Sequence, residues 1–374
     1  MFDRKMKLLL AAAVLVMGLN VLQQRGVRWR MVVGFVQARP WLVPSVLGLL
    51  ALAGLLVWGL LARRKAQGRA YQEGLNQAVA AGPTLLLLPR SDWKTVDPAK
   101  VGLWGRLADA LPHDQHISFE IFGGEHESAF ALHGSPEGVQ AAMTQIKAEW
   151  PGVQQRNLAA NPAELPEGWS AFWCECAPAT WDQPIASLTD DPLRGVLIEL
   201  AAVTGAARGM LQLVVRRDFG TRKRLGEAAF SARAEQVENA GVKAIRSKAA
   251  RTFEDRAQQI FLQATVRTVG LADTPERAQG IARGLARAVC AAFGPGNPVQ
   301  RVAEGEGIDP VRLRHMGRAA AWAGDELATL GHLVGNDMQR IAPRLKAASA
   351  RSLPAAQEMR LGPQHLIAEF TEAP

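Results

Sequence analysis

Three histidines, His113, His116 and His126, bracket one apolar run and together offer the nitrogen ligands of a metal site. They stand beside Pro112, Asp114 and the Gly123-Gly124 turn, which favours water-facing loop positions instead. Cys174-x-Cys176 offers thiol chemistry. Alternation along a strand puts both thiols on one face, among apolar neighbours, so core packing is the simpler expectation. Asp190-Asp191 could pair as general acid and base, but Pro192 follows at once, and a helix cap accounts for the aspartates better. The chain contains no G-x-x-x-x-G-K-[ST], G-x-S-x-G, H-E-x-x-H or G-x-G-x-x-G motif. No phosphate cradle, nucleophile elbow or zincin helix is therefore written in it, and neither an enzyme nor a bound cofactor is expected.

The unusual charged feature is a basic cluster, Arg216, Arg217, Arg222, Lys223 and Arg224. It falls at a predicted strand end and the start of the helical stretch 220–256 that follows. Cations at a helix N-terminus oppose the dipole, so an external anion is expected there: a charged lipid surface first, nucleic acid second. A plain solvated face is the alternative. Phe219, Phe230 and Phe253 are the nearby aromatics, few for base stacking.

The elements that would carry these residues follow from apolar spacing. Thr84–Leu88 reads as a strand, Lys100–Leu111 as a helix, and Ile117–Phe122 and Ser128–His133 as strands. A helix from Pro136 to Trp150 and a strand over Val153–Arg156 complete a β-α-β-β-α-β order. The same order returns in Trp169–Cys176, Asp191–Val203, Gly209–Val215, Gln259–Leu271, a helix from Thr274 to Phe293, and Pro298–Val302, with 220–256 inserted. Two tandem ferredoxin-like units are therefore expected, over 71–160 and 161–305. A helical segment and loose tail over 306–374 would complete an α+β chain.

Among the 374 residues, 48% are hydrophobic and 21% charged, the balance of a folded protein rather than a disordered one. Three cysteines are too few for a disulfide framework. The net charge of +8 resides in the first 70 residues, which hold eleven Lys/Arg and a single acidic residue, Asp3. Trp41–Leu61 runs without a charge, long enough to cross a bilayer, and Arg63, Arg64 and Lys65 follow it. Residues 8–22 are a second apolar stretch after Arg4, Lys5 and Lys7, either a transmembrane helix or a signal peptide. A two-helix membrane anchor over 1–70 is expected, placing the protein in the bacterial inner membrane with its soluble region in the cytoplasm.

Four stretches carry a family resemblance: His116–Gln154, Asp191–Arg216, Phe261–Arg301 and GDELATLGHLVG at Gly324–Gly335. Over about residues 40–350 the chain resembles the non-motor N-terminal region of coupling-protein-like ATPases of type IV secretion and conjugation, in the FtsK–HerA superfamily. The motor domain of that family is missing, and Gly331 and Val334 replace the Trp and Pro expected around the E-L-A…L-H-L pattern. The resemblance implies a non-catalytic, membrane-anchored scaffold that docks or oligomerises a separate motor ATPase, with Glu326, Leu327, Leu330 and His332 as docking residues. Other membrane components and a second copy of the chain are further partners it implies. A membrane-tethered nucleic-acid-binding protein is the alternative.

Overall fold

A computed structural model describes residues 79–348 apart from 114, 159–160, 189–190 and 239–242, together with scattered positions between 52 and 77. The chain divides into two compact units, Met1–Gln72 and Glu73–Pro374. In the smaller, the described positions from Leu52 to Arg63 are helical, and Leu52, Leu55, Trp58, Leu60 and Leu61 are exposed.

The larger unit is built on a single antiparallel sheet. Its strands are β1 (Thr84–Leu88), β2 (His116–Gly124), β3 (Ser128–Gly134), β4 (Gln154–Asn157), β5 (Ser170–Pro178), β6 (Ala207–Arg217), β7 (Phe261–Ala272), β8 (Val299–Glu306) and β9 (Ala320–Ala323). They lie in the order β4-β1-β3-β2-β6-β7-β5-β8, with β9 added to β7. The junction is the β2–β6 pair, which holds register from His116↔Arg216 to Gly124↔Arg208.

The helices are α1 (Leu103–Ala110), α2 (Pro136–Glu149), α3 (Leu193–Ala202), α4 (Thr221–Glu238), α5 (Lys243–Ala257), α6 (Pro275–Ala291) and the short α7 (Asp309–Arg312), α8 (Gly324–Ala328) and α9 (Asn336–Gln339). Local chemistry starts the long ones. Ser135 Oγ accepts the Gly138 N–H at 3.1 Å ahead of Pro136, and Thr274 Oγ1 accepts the Arg277 N–H at 3.4 Å ahead of Pro275. α1, α2, α3 and α6 cover one face of the sheet, where Phe119, Ile121, Leu211, Leu213, Val266 and Cys174 interlock with Leu107, Ile146, Leu197 and Leu285. The period of two sends the alternate residues of the same strands to the other face. There Phe122, Met210, Val269 and Leu271 meet Val311 of α7 and Ala163 and Ala348 from irregular segments.

Three expectations are corrected here. The tandem ferredoxin-like units with a transmembrane hairpin give way to one nine-stranded sheet, because β2 and β6 hydrogen-bond along their whole length and join both halves around a shared core. Residues 8–22 and much of 41–61 lie outside the described residues; among the described residues no helix is long and apolar enough to cross a membrane. The anchor, and the inner-membrane location inferred from it, are corrected on that finding. The stretch from 308 to 348, expected to be helical, is mostly irregular. Pro310, Gly317, Gly324, Gly331, Gly335 and Pro343 break it every few residues, and it wraps the sheet instead.

Candidate functional site

One row of side chains crosses the middle of the sheet on the face away from the long helices. Glu120 of β2 faces Gln212 of β6, Gln212 faces Arg267 of β7, and Arg267 faces Glu175 of β5. All four are buried. Arg267 donates five hydrogen bonds: Nε to Glu175 Oε1 at 3.2 Å, Nη2 to the same oxygen at 2.7 Å, Nη1 to Gln212 Oε1 at 2.7 Å, and one each to the carbonyls of Pro310 and His315. Gln212 Nε2 donates to Glu120 Oε1 and to the Val311 carbonyl, each at 3.0 Å.

Arg314, fully buried, closes the other end of the row. Its Nε donates to Glu120 Oε1 at 2.9 Å and its Nη2 to Asn161 Oδ1 at 2.7 Å. It holds a left-handed backbone, φ 49°, rare for a residue with a side chain. Two guanidiniums against two carboxylates leave the row neutral, and its bonds run outward to the 308–318 segment. Chemically the row is a clamp that holds this segment on the sheet. It presents no unpaired base or nucleophile.

Two histidines lie beside the clamp. His133 Nε2 bonds the Val79 carbonyl at 2.7 Å and its Nδ1 bonds Thr84 Oγ1 at 2.7 Å. Burial, with the nearby charge of Arg314, pushes His133 down to about 4; burial does the same to His116, also to about 4. The folded protein thus refuses protons that the unfolded chain binds below about pH 6.5. Stability therefore falls as pH drops from 6.5 towards 4, by about 1–2 kcal/mol per histidine between pH 6.5 and about pH 5. Urea midpoints measured across this range should show the loss, and His133→Gln should remove about half of it, leaving the part due to His116. Glu120, held below the ordinary carboxylate range by Arg314 despite its burial, contributes its loss only at still lower pH.

The basic cluster stands at the foot of a helical arm. α4 and α5 form an antiparallel hairpin between β6 and β7, and they pack mainly on each other. Leu225, Phe253 and Ala257 fix the foot against Phe261, Ala321 and Ala323. A buried ion pair, Arg256 Nη1 to Glu326 Oε1 at 2.7 Å, ties it to α8. Farther out, Phe230 is 76% exposed, and Lys248 and Arg251 are exposed on α5.

Each basic residue at the foot has a place. Asp218 caps α4, accepting the Gly220 and Thr221 N–H groups at 2.7 and 2.9 Å and the Thr221 hydroxyl at 2.6 Å. These bonds outweigh burial and keep its carboxyl below the usual range, so the helix already has an anion at its N-terminus. Arg217 lies over Phe219 at 5.5 Å and reaches Asp109 at 3.8 Å. Arg222 donates to the Ala257 carbonyl at the end of α5 at 3.1 Å. Lys223 pairs with Glu227 at 3.9 Å, and Arg224 covers Trp181 at 4.6 Å. Arg216 is half-buried at the end of β6, opposite Gln263. The five residues are gathered, as their spacing suggested, but Arg222 and Arg224 also brace the foot of the arm, through the Ala257 carbonyl and the Trp181 ring.

The other predicted residues are distributed differently. Glu326, Leu327, Leu330 and His332 are buried, because the apolar pattern that suggested docking serves the chain's own core. Glu326 accepts from Arg256, Ile185 N–H and Ala323 N–H, and His332 Nε2 lies 3.2 Å from Asp191 Oδ2. Asp191 Oδ1 also accepts the Leu193 N–H at 2.9 Å, but the N-cap of α3 is Pro192 rather than the expected aspartate, and Asp190 lies outside the described residues. His113 stacks on Phe219 at 4.3 Å, His126 is exposed, and His116 is buried rather than in an open loop. Among the described residues no group of three or more His, Cys, Asp or Glu could hold a metal. A groove of about 870 Å³ lies between α3, α6 and α9, lined by Leu188, Ile198, Ala288 and Ile341. Sequence reasoning missed the clamp. Its signal was one charged or amide side chain inside each apolar run, as in SFEIF, LQLVV and TVRTV.

No known protein family matches the chain, and no curated protein does. A solved anthrone oxidase-like protein aligns over 61% of this chain and 95% of its own, at 9% identity and a TM-score of 0.14, a likeness that carries no argument.

Proposed function

We propose that this chain is a non-catalytic docking component that uses the α4–α5 arm to engage a partner protein. The observation that supports it is the arm itself: it is braced at its foot by a buried ion pair and an apolar cluster, while Phe230 is left 76% exposed. An aromatic ring so exposed on a helix braced at its foot offers a large apolar area for a partner pocket to bury. The cations of α5 favour an acidic partner face. The family resemblance supplies the candidate, a separate motor ATPase of the secretion or DNA-transfer class. Nucleic acid is the rival ligand for a basic arm.

The test mixes the full chain with such an ATPase encoded in the same genome, under nuclease, in size-exclusion chromatography with light scattering. A salt-sensitive complex is expected. Phe230→Ser should weaken it at least about tenfold. The same substitution should shift unfolding by no more than about 0.5 kcal/mol, because the ring buries little on the chain itself. Complex formation unaffected by Phe230→Ser, or one that requires nucleic acid, would overturn the proposal.

A further inference from the structure

Cys176 and Cys290 meet across the interface between β5 and α6. Cys176 points from the strand towards the long helices and is 1% exposed. Cys290 stands in the last turn of α6 and is half-buried. Their sulfurs are 4.0 Å apart. Cys174 shares the face of Cys176 and is also buried. Alternate positions on one strand lie about 7 Å apart, beyond the reach of an unstrained disulfide, so Cys174 is poorly placed to bridge to Cys176.

We infer that Cys290 and Cys176 are an oxidisable pair, in which Cys290 meets a hydroperoxide and Cys176 resolves the product to a disulfide between α6 and β5. Two observations carry this: the sulfurs are already in contact, and only one of them is open to solvent. The surroundings set the direction of attack. The hydrogen bond with Cys176, with the charge and backbone N–H of Arg301, holds the Cys290 thiol below its ordinary value against its partial burial. The same contact, with deeper burial, raises Cys176. Cys290 is therefore the better nucleophile of the two.

In the first step the Cys290 thiolate attacks the terminal oxygen of the hydroperoxide. The O–O bond breaks, an alkoxide leaves and takes a proton, and Cys290 becomes a sulfenic acid. In the second, the Cys176 sulfur attacks the sulfenic sulfur and displaces hydroxide, which leaves as water with the Cys176 proton. Two thiols are oxidised to one disulfide, and one hydroperoxide is reduced to an alcohol and water. Closing the bond brings the sulfurs from 4.0 Å to about 2.05 Å, a movement that side-chain rotation at the end of a helix can supply.

The experiment treats the full-length protein with hydrogen peroxide, blocks free thiols with iodoacetamide and maps the peptides by mass spectrometry. A Cys176–Cys290 linked pair is expected, about 2 Da lighter than the two reduced peptides. Cys290→Ser should abolish it. Cys176→Ser should instead leave Cys290 as a sulfenic acid, trapped by dimedone several-fold more than in the native chain. A variant-free measurement stands beside these: Cys290 should alkylate at least about tenfold faster than Cys174 and Cys176 in the folded protein. A Cys174–Cys176 disulfide, no linked peptide at any peroxide level, or equal alkylation of the three thiols would overturn the inference.

Discussion

Replacing Arg267 by Met is expected to cost about 3–5 kcal/mol, a large share of the stability of a domain. The reason is what the guanidinium leaves behind. Glu175 would lose its cation in a site with 3% exposure, and Gln212 Oε1 and the carbonyls of Pro310 and His315 would lose their donor. A buried carboxylate without its cation costs far more than the pair itself contributes. The double variant Arg267→Met, Glu175→Met should therefore be less destabilised than Arg267→Met alone, although two residues have changed. Urea unfolding of the four corners of this cycle measures the coupling, expected at about 2 kcal/mol. Additive effects below about 1 kcal/mol each would show that the 308–318 segment is held without the clamp. The close path of that segment is visible at Gly317, whose position leaves no room for a Cβ beside the Glu175 carboxylate.

The second large effect is expected at Gly270. It lies on β7 under α6, and a Cβ there would come within 2.9 Å of the Ala278 carbonyl carbon and 3.0 Å of the Ala282 nitrogen, with the Ala278 oxygen nearer still. These are backbone atoms of a capped helix and cannot turn aside as a side chain can. Gly270→Ala must lift α6 from the sheet, opening the core around Ala278, Ala282 and Leu285. Overpacking costs typically about 1–3 kcal/mol, and a clash with backbone belongs at the upper end of that range. Gly280→Ala is the matched control on the same helix. A Cβ at Gly280 meets nothing within 4 Å, and alanine gains helix propensity of up to about 1 kcal/mol. Thermal melts of the two variants should move in opposite directions; equal shifts would mean that the β7–α6 contact is looser than described.

Most elements of the larger unit were legible because they are local. Alternating apolar residues in ISFEIF and LQLVV name strands, and Ser135-Pro136 and Thr274-Pro275 name helix starts, since the cap bonds are made within three residues. The basic cluster was legible as a group for the same reason: its members are neighbours in the chain. What it does was not, because Asp109, Ala257 and Trp181, which engage it, come from distant segments. The E-L-A…L-H-L pattern was visible as an apolar motif, yet spacing alone does not say whether such a face meets another molecule or the chain's own core.

By itself the amino-acid sequence determined most of the strands and the capped helices, each a consequence of neighbours a few positions apart. Only the tertiary structure decided that β2 and β6 pair, which merges two expected units into one sheet and sets Glu120, Gln212, Arg267 and Glu175 side by side. That decision rests on register between strands about 90 residues apart, and a slip of one residue would have turned every one of these side chains to the opposite face.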